Sequence, residues 1–204
     1  MKNILFFDTE TTGLPADFNA PYTDTENWPE IVGIAYYITD QVGESKAQSD
    51  YIVATRPGVV NGAAHINGIT PEMQLEGKPI EEILSEITRA IEHWDVGTIV
   101  CHNVAFDIPV LFAEMDRIGM KPPEGIEWYC TKEQSTDLCK IPKLTGYYKN
   151  SRQYKWPSLD ELHQFLFNEP IPGRETYHDA MTDVRATARC YFEMQKRFAE
   201  ISGY

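Results

Sequence analysis

The sequence predicts a single α/β domain, residues 1–204, built on a mixed sheet. Three observations carry the prediction. Short apolar runs ended by polar residues come early in the chain. Strand-like and helix-like periods alternate after them. No repeat, low-complexity tract or interdomain linker breaks the 204 residues.

Residues 3–8 (NILFFD) read as a buried strand that Asp8 ends. Gly13, Pro15, Pro21, Asn27 and Pro29 make residues 11–29 a loop. Residues 31–38 and 50–55 read as two further strands. The polar Asp40–Gly43 turn that follows the first of them favours an antiparallel hairpin. Thr70-Pro71-Glu72 opens a helix, because proline at the first helical position forfeits no hydrogen bond. Ile80, Ile83, Leu84, Ile87 and Ile91 repeat at helical spacing over 80–93 and face a core. Residues 98–101 (TIVC) form a short buried strand, and a helix runs from Ile108-Pro109 to about Ile118. Residues 158–167 and 180–199 are two more helices, the last with an apolar stripe of Met181, Val184, Ala188, Tyr191 and Phe198.

At 42% hydrophobic and 24% charged, the chain has the balance of an ordinary soluble protein. No apolar run approaches the ~18 residues of a membrane span. The apolar stretch Ile4–Phe7 is too short for a signal peptide, so a cytoplasmic location and no membrane partner are expected. Cys101, Cys130, Cys139 and Cys190 form no C-x-x-C pair, which argues against a zinc ribbon or a dithiol redox site. The net charge of −13 opposes nonspecific binding to phosphate. Two features soften that objection: some acids are candidate metal ligands, and the bases are unevenly placed.

Three acidic motifs stand at element ends. Asp8 and Glu10 point the same way along the first strand, with Cα atoms roughly 6–7 Å apart. Two carboxylates so placed can share a divalent ion, although D-x-E alone equally describes a strand end turning into solvent. Asp107 closes Asn103-Val104-Ala105-Phe106-Asp107 just before the next helix, where an ordinary N-cap is the competing reading. His178 and Asp183 open the last helix. On one continuous helix they would lie about 140° apart. They converge only if His178 precedes the helix, with Asp179 as N-cap.

In this order, the motifs make the chain resemble the DEDDh, or DnaQ-like, exonucleases. Asp8 and Glu10 match D-x-E, Asn103, Phe106 and Asp107 match N-x-x-F-D, and His178, Ala180 and Asp183 match H-x-A-x-x-D. The resemblance runs from residue 4 to about residue 192. It implies a ribonuclease-H-like fold, a mixed central sheet flanked by helices. It also implies hydrolysis from the 3′ end of DNA or RNA, single-stranded or frayed. Asp8, Glu10, Asp107 and Asp183 would hold two Mg²⁺ or Mn²⁺ ions, and His178 would act as general base. Asn103 and Phe106 are expected at the substrate. Thr11, Thr12, Gly13 and Leu14 match the turn that contacts the terminal nucleotide in that family. His65 lies in a segment where the family often has His-Gly-Ile and this chain has Asn67.

Residues 140–156 hold Lys140, Lys143, Lys149, Arg152 and Lys155 with no acid, interleaved with Tyr147, Tyr148, Tyr154 and Trp156. Charge for phosphates beside aromatic faces for bases suits a single strand. Lys149, Arg152 and Lys155 are therefore candidate substrate contacts. The competing reading is a solvated loop anchored to the core by Trp156. Two other functions compete with an active enzyme: a catalytically silent module binding nucleic-acid ends, and a subunit docked on a polymerase. The first conflicts with retention of all five motif residues. The 21 residues that follow Asp183 (204 − 183) leave little tail for tethering, which favours a stand-alone nuclease without excluding polymerase association.

Overall fold

The computed structural model describes residues 2–143, 154–174 and 178–203. Among these, five strands form one sheet: β1 (Asn3–Thr11), β2 (Ile31–Thr39), β3 (Ser45–Ile52), β4 (Val96–Cys101) and β5 (Glu127–Cys130). Their spatial order is β3-β2-β1-β4-β5. The first three are antiparallel, and β4 and β5 run parallel to β1. Two short helices, α1 (Ala64–Asn67) and α2 (Pro71–Leu75), and the longer α3 (Ile80–His93) lie between β3 and β4, and α4 (Val104–Arg117) follows β4. After β5 come α5 (Thr131–Gln134), α6 (Thr136–Cys139), α7 (Leu159–Phe167) and α8 (Ala180–Ser202).

The mixed sheet agrees with the sequence prediction, with two shifts of boundary. β3 begins at Ser45, not residue 50. The Asp40 carboxylate accepts the N–H groups of Val42 and Glu44 at 3.0 and 2.9 Å, and Gly43 takes φ +90°. That tight turn returns the chain at once, and the polar residues 45–50 pair along the sheet's edge, where a strand needs no apolar pattern. α4 begins at Val104, ahead of Ile108-Pro109. Pro109 sits inside the helix, and the carbonyl whose bond it forfeits belongs to exposed Ala105. The backbone N–H of Asp107 bonds Asn103 O at 3.1 Å, so Asp107 is a first-turn residue and not a cap. The short β5, α1, α5 and α6 carry no period long enough to read from sequence.

Alternation along β1 sorts its side chains between two cores. Leu5 and Phe7, with Ile34, Ile38 and Ile99, pack under α3 and α4. Ile4 and Phe6, with Ala35 and Val100, pack under Ala180, Val184 and Ala188 of α8. α7 covers α8 in turn through Leu159, Leu162 and Leu166 against Cys190 and Met194. The even-numbered face of β1 that meets α8 continues into Asp8 and Glu10. Among the described residues, no helix is long and apolar enough to cross a membrane.

Glu114 of α4 is fully buried. Its Oε1 accepts the backbone N–H of Ile31 at 3.0 Å and Arg56 Nη2 at 2.7 Å. Arg117 Nη1 lies 3.0 Å from the same oxygen, and Arg117 Nη2 donates to Trp28 O at 2.6 Å. One carboxylate thus ties the loop before β2 and the segment after β3 to α4. Glu114→Ala strands two half-buried guanidinium groups. The expected cost is on the order of 3 kcal/mol, read as a lower urea midpoint. An unchanged midpoint would show that the network contributes nothing net.

Candidate active site

Three elements deliver the four acidic residues to one cleft of about 480 Å³. Asp8 and Glu10 come from the end of β1, beside a register shift between Glu10 and Thr11. Asp107 comes from the first turn of α4 and Asp183 from the first turn of α8. Asp179 caps α8, its Oδ2 accepting the N–H of Thr182 at 2.9 Å. His178 precedes that cap, off the helix, and its backbone N–H donates to Ile66 O at 3.1 Å. A single ligand atom each from Glu10, His178 and Asp183 lies within 4.8 Å of the others.

The cleft is electrostatically strained. Burial pushes Asp8 well above the usual carboxylate range, with further increments from Asp107, Asp183 and Glu10. Burial, and then Asp183, push Glu10 up to about 7. Burial also pushes Asp107 up to about 7, although Thr9 Oγ1 donates to its Oδ1 at 2.9 Å. Asp183 Oδ2 lies 2.9 Å from Arg174 Nη2 and 3.7 Å from His178 Nδ1. Interaction with Asp183 raises His178, which is half exposed. Among the described residues, Asp183 Oδ1 is buried without a hydrogen-bond partner. An orphaned carboxylate oxygen among three other carboxylates fits a hard divalent cation, and oxygen donors suit Mg²⁺ or Mn²⁺.

Asn103 and Phe106 line the same cleft. Lys155 also lines it and pairs with Glu161 at 2.5 Å. Trp156, 48% exposed, faces the cleft rather than anchoring in the core. Thr11 is buried, its Oγ1 donating to Gly13 O at 2.7 Å. Thr12, Gly13 and Leu14 line a separate groove with Trp28 and Val60. His65 is exposed on α1 and is not among the residues lining the cleft. Lys149 and Arg152, with Tyr147 and Tyr148, lie outside the described residues. Asn67 is buried as a brace: its Nδ2 donates to Thr11 O at 3.2 Å and its Oδ1 accepts the N–H of Ile69 at 3.1 Å.

Four cleft residues carried no sequence signal. Lys132 Nζ donates to Asn103 Oδ1 at 3.0 Å and stands 4.9 Å from the centre of the Trp156 ring. His102 Nε2 lies 3.2 Å from Pro157 O, and its Nδ1 lies 3.0 Å from Thr131 Oγ1. A carbonyl only accepts, so Nε2 carries the proton. Burial drives this imidazole down to about 4, and it pins the 155–158 stretch as a neutral ring. Arg174 and Asp160 complete the group. A lone arginine in Pro172-Gly173-Arg174 reads as a solvated turn, and nothing local says otherwise.

The chain matches the RNase_T family, described as exonuclease, over residues 5–191. Relatives include DNA polymerase III PolC-type proteins. That of Thermotoga petrophila is 28% identical over 196 residues, covering 93% of this chain. That of Caldanaerobacter subterraneus is 25% identical over 202 residues, covering 96%. The chain spans 12% of the length of either protein. Escherichia coli Exonuclease I in complex with a dT13 oligonucleotide superposes with a TM-score of 0.70 at 18% identity, covering 100% of this chain and 43% of that one. A moderately thermophilic Exonuclease I from Methylocaldum szegediense gives 0.63 at 22% identity, covering 97% and 41%. These superpositions establish the expected α/β, ribonuclease-H-like fold, a mixed sheet flanked by helices. With the family match spanning nearly all of its length, the chain belongs to the RNase_T exonuclease family of nucleases.

Proposed function

We propose that this chain is one exonuclease domain that uses divalent metal to release nucleotides from the 3′ end of single-stranded or frayed nucleic acid. The observation that carries the reading is the convergence of Asp8, Glu10, Asp107 and Asp183 around a buried, unpartnered Asp183 Oδ1. These four would hold two Mg²⁺ or Mn²⁺ ions. When bound, such ions would polarise the scissile phosphate and acidify a water. His178 would accept a proton from such a water at Nε2, which stands farther from Arg174 Nη2 (3.3 Å) than Nδ1 does (2.5 Å). Lys132, Lys155 and Trp156 line the cleft, the lysines offering charge to phosphate and the indole a face to a base. Likeness to part of PolC-type polymerases and to an oligonucleotide-bound Exonuclease I favours DNA over RNA and makes a DNA polymerase a candidate partner.

Matched 5′-labelled DNA and RNA single strands test the reading. With Mg²⁺, a ladder shortening from the 3′ end is expected, blocked by a 3′-terminal phosphate and abolished by chelator. Asp8→Ala, Glu10→Ala, Asp107→Ala and Asp183→Ala should each remove nearly all activity from folded protein. Cleavage of a circular single strand would contradict the exonuclease assignment.

The raised carboxylates predict a pH-dependent stability of the metal-free protein. Glu10 and Asp107 titrate near 7 when folded and at ordinary carboxylate values when unfolded. Their contribution is complete below those ordinary values and is lost as pH rises through about 7. In chelator, Tm should therefore fall between about pH 4 and pH 7, and Mg²⁺ should flatten the fall. A profile unaffected by Mg²⁺ would separate these carboxylates from metal binding.

His178→Ala should lower turnover by roughly 10²–10⁴-fold, with Mn²⁺ and oligonucleotide affinity little changed. The wild-type rate should rise with pH through the imidazole's titration, above its ordinary value, and the variant should lose that step. Parallel loss of Mn²⁺ binding would make His178 a ligand instead.

A further inference from the structure

We infer that Arg174 is a resident counter-cation of the acidic cleft, holding Asp183 in the metal-free protein and giving it up when divalent ions bind. The inference rests on reading the four carboxylates as a metal site. Gly173 takes φ +83°, and the N–H of Arg174 bonds Ile171 O at 3.4 Å, so a fixed turn aims the side chain inward. The side chain is 8% exposed. Its Nη2 stands 2.9 Å from Asp183 Oδ2 and 2.5 Å from His178 Nδ1. Its Nη1 stands 3.3 Å from Asp160 Oδ2 on α7.

A guanidinium cannot shed its proton, so its charge persists when other cations arrive. It also satisfies just one of the two Asp183 oxygens, leaving Oδ1 orphaned. Arg174 is therefore an incomplete substitute for a divalent ion, and repulsion makes it the group that moves. Asp160 gives it somewhere to go. That carboxylate is 60% exposed, at the solvent side of the same guanidinium. Displacement toward Asp160 would free both Asp183 Oδ2 and the imidazole of His178.

Calorimetric titration with Mn²⁺, without substrate, tests this on wild type, Arg174→Gln and Arg174→Met. The uncharged variants should bind Mn²⁺ on the order of tenfold more tightly. They should melt lower than wild type in chelator and close to it in saturating Mn²⁺. Arg174→Lys, which keeps the charge, should stay near wild type in both measurements. Equal or weaker Mn²⁺ binding by the uncharged variants would overturn the inference and make Arg174 a fixed support for Asp183. Failure of the wild type itself to bind Mn²⁺ would instead remove the metal-site reading beneath it.

Discussion

Repulsion among Asp8, Glu10, Asp107 and Asp183 is the constraint on which this structure turns. Burial first, and neighbouring carboxylates after it, raise the proton affinity of Asp8, Glu10 and Asp107. Such a cluster persists only where the scaffold holds it against relaxation. β1 supplies that rigidity. It lies at the centre of the sheet, paired to β2 on one side and β4 on the other, with a separate apolar core on each face. The backbone that carries Asp8 and Glu10 is held by pairing with Ala35 and Gly33 of β2.

The charges are organised by distance from that centre. Next to the acids stand polar groups that orient them, such as Thr9 on Asp107 and Arg174 on Asp183. Lys132, beside the Trp156 ring, and Lys155, paired with Glu161, line the same cleft. His102 also lines the cleft. As a neutral ring it ties Pro157 to the end of β4 and so fixes the position of the mouth.

A second constraint governs the loop that follows β1. Asn67 holds Thr11 O, and Glu114 holds Ile31 N and Arg56, so both ends of residues 12–30 are fastened to structure formed far away in sequence. Thr12, Gly13 and Leu14 leave the acidic cleft along this loop and line their own groove. Any contact they make with a terminal nucleotide depends on that bracing.

The sequence by itself determined the long elements, because their periods report burial: the isoleucine ladder of α3, the stripe of α8 and the apolar run of β1. It also determined the acidic motifs, because each sits at an element end where the local pattern breaks. Helix starts were legible at Thr70 and Asp179, where a side chain caps the helix, but the start of α4 was placed too late, because Pro109 mimicked a first-turn proline. Tertiary structure alone decided the rest. β3 owes its residues 45–50 to a partner strand and not to its own pattern. Arg174, Lys132 and His102 reach the cleft through turns and cross-chain contacts that leave no period behind. Charge and hydrogen bonding act through space, so a residue's neighbours in the chain cannot disclose which distant carboxylate it will face.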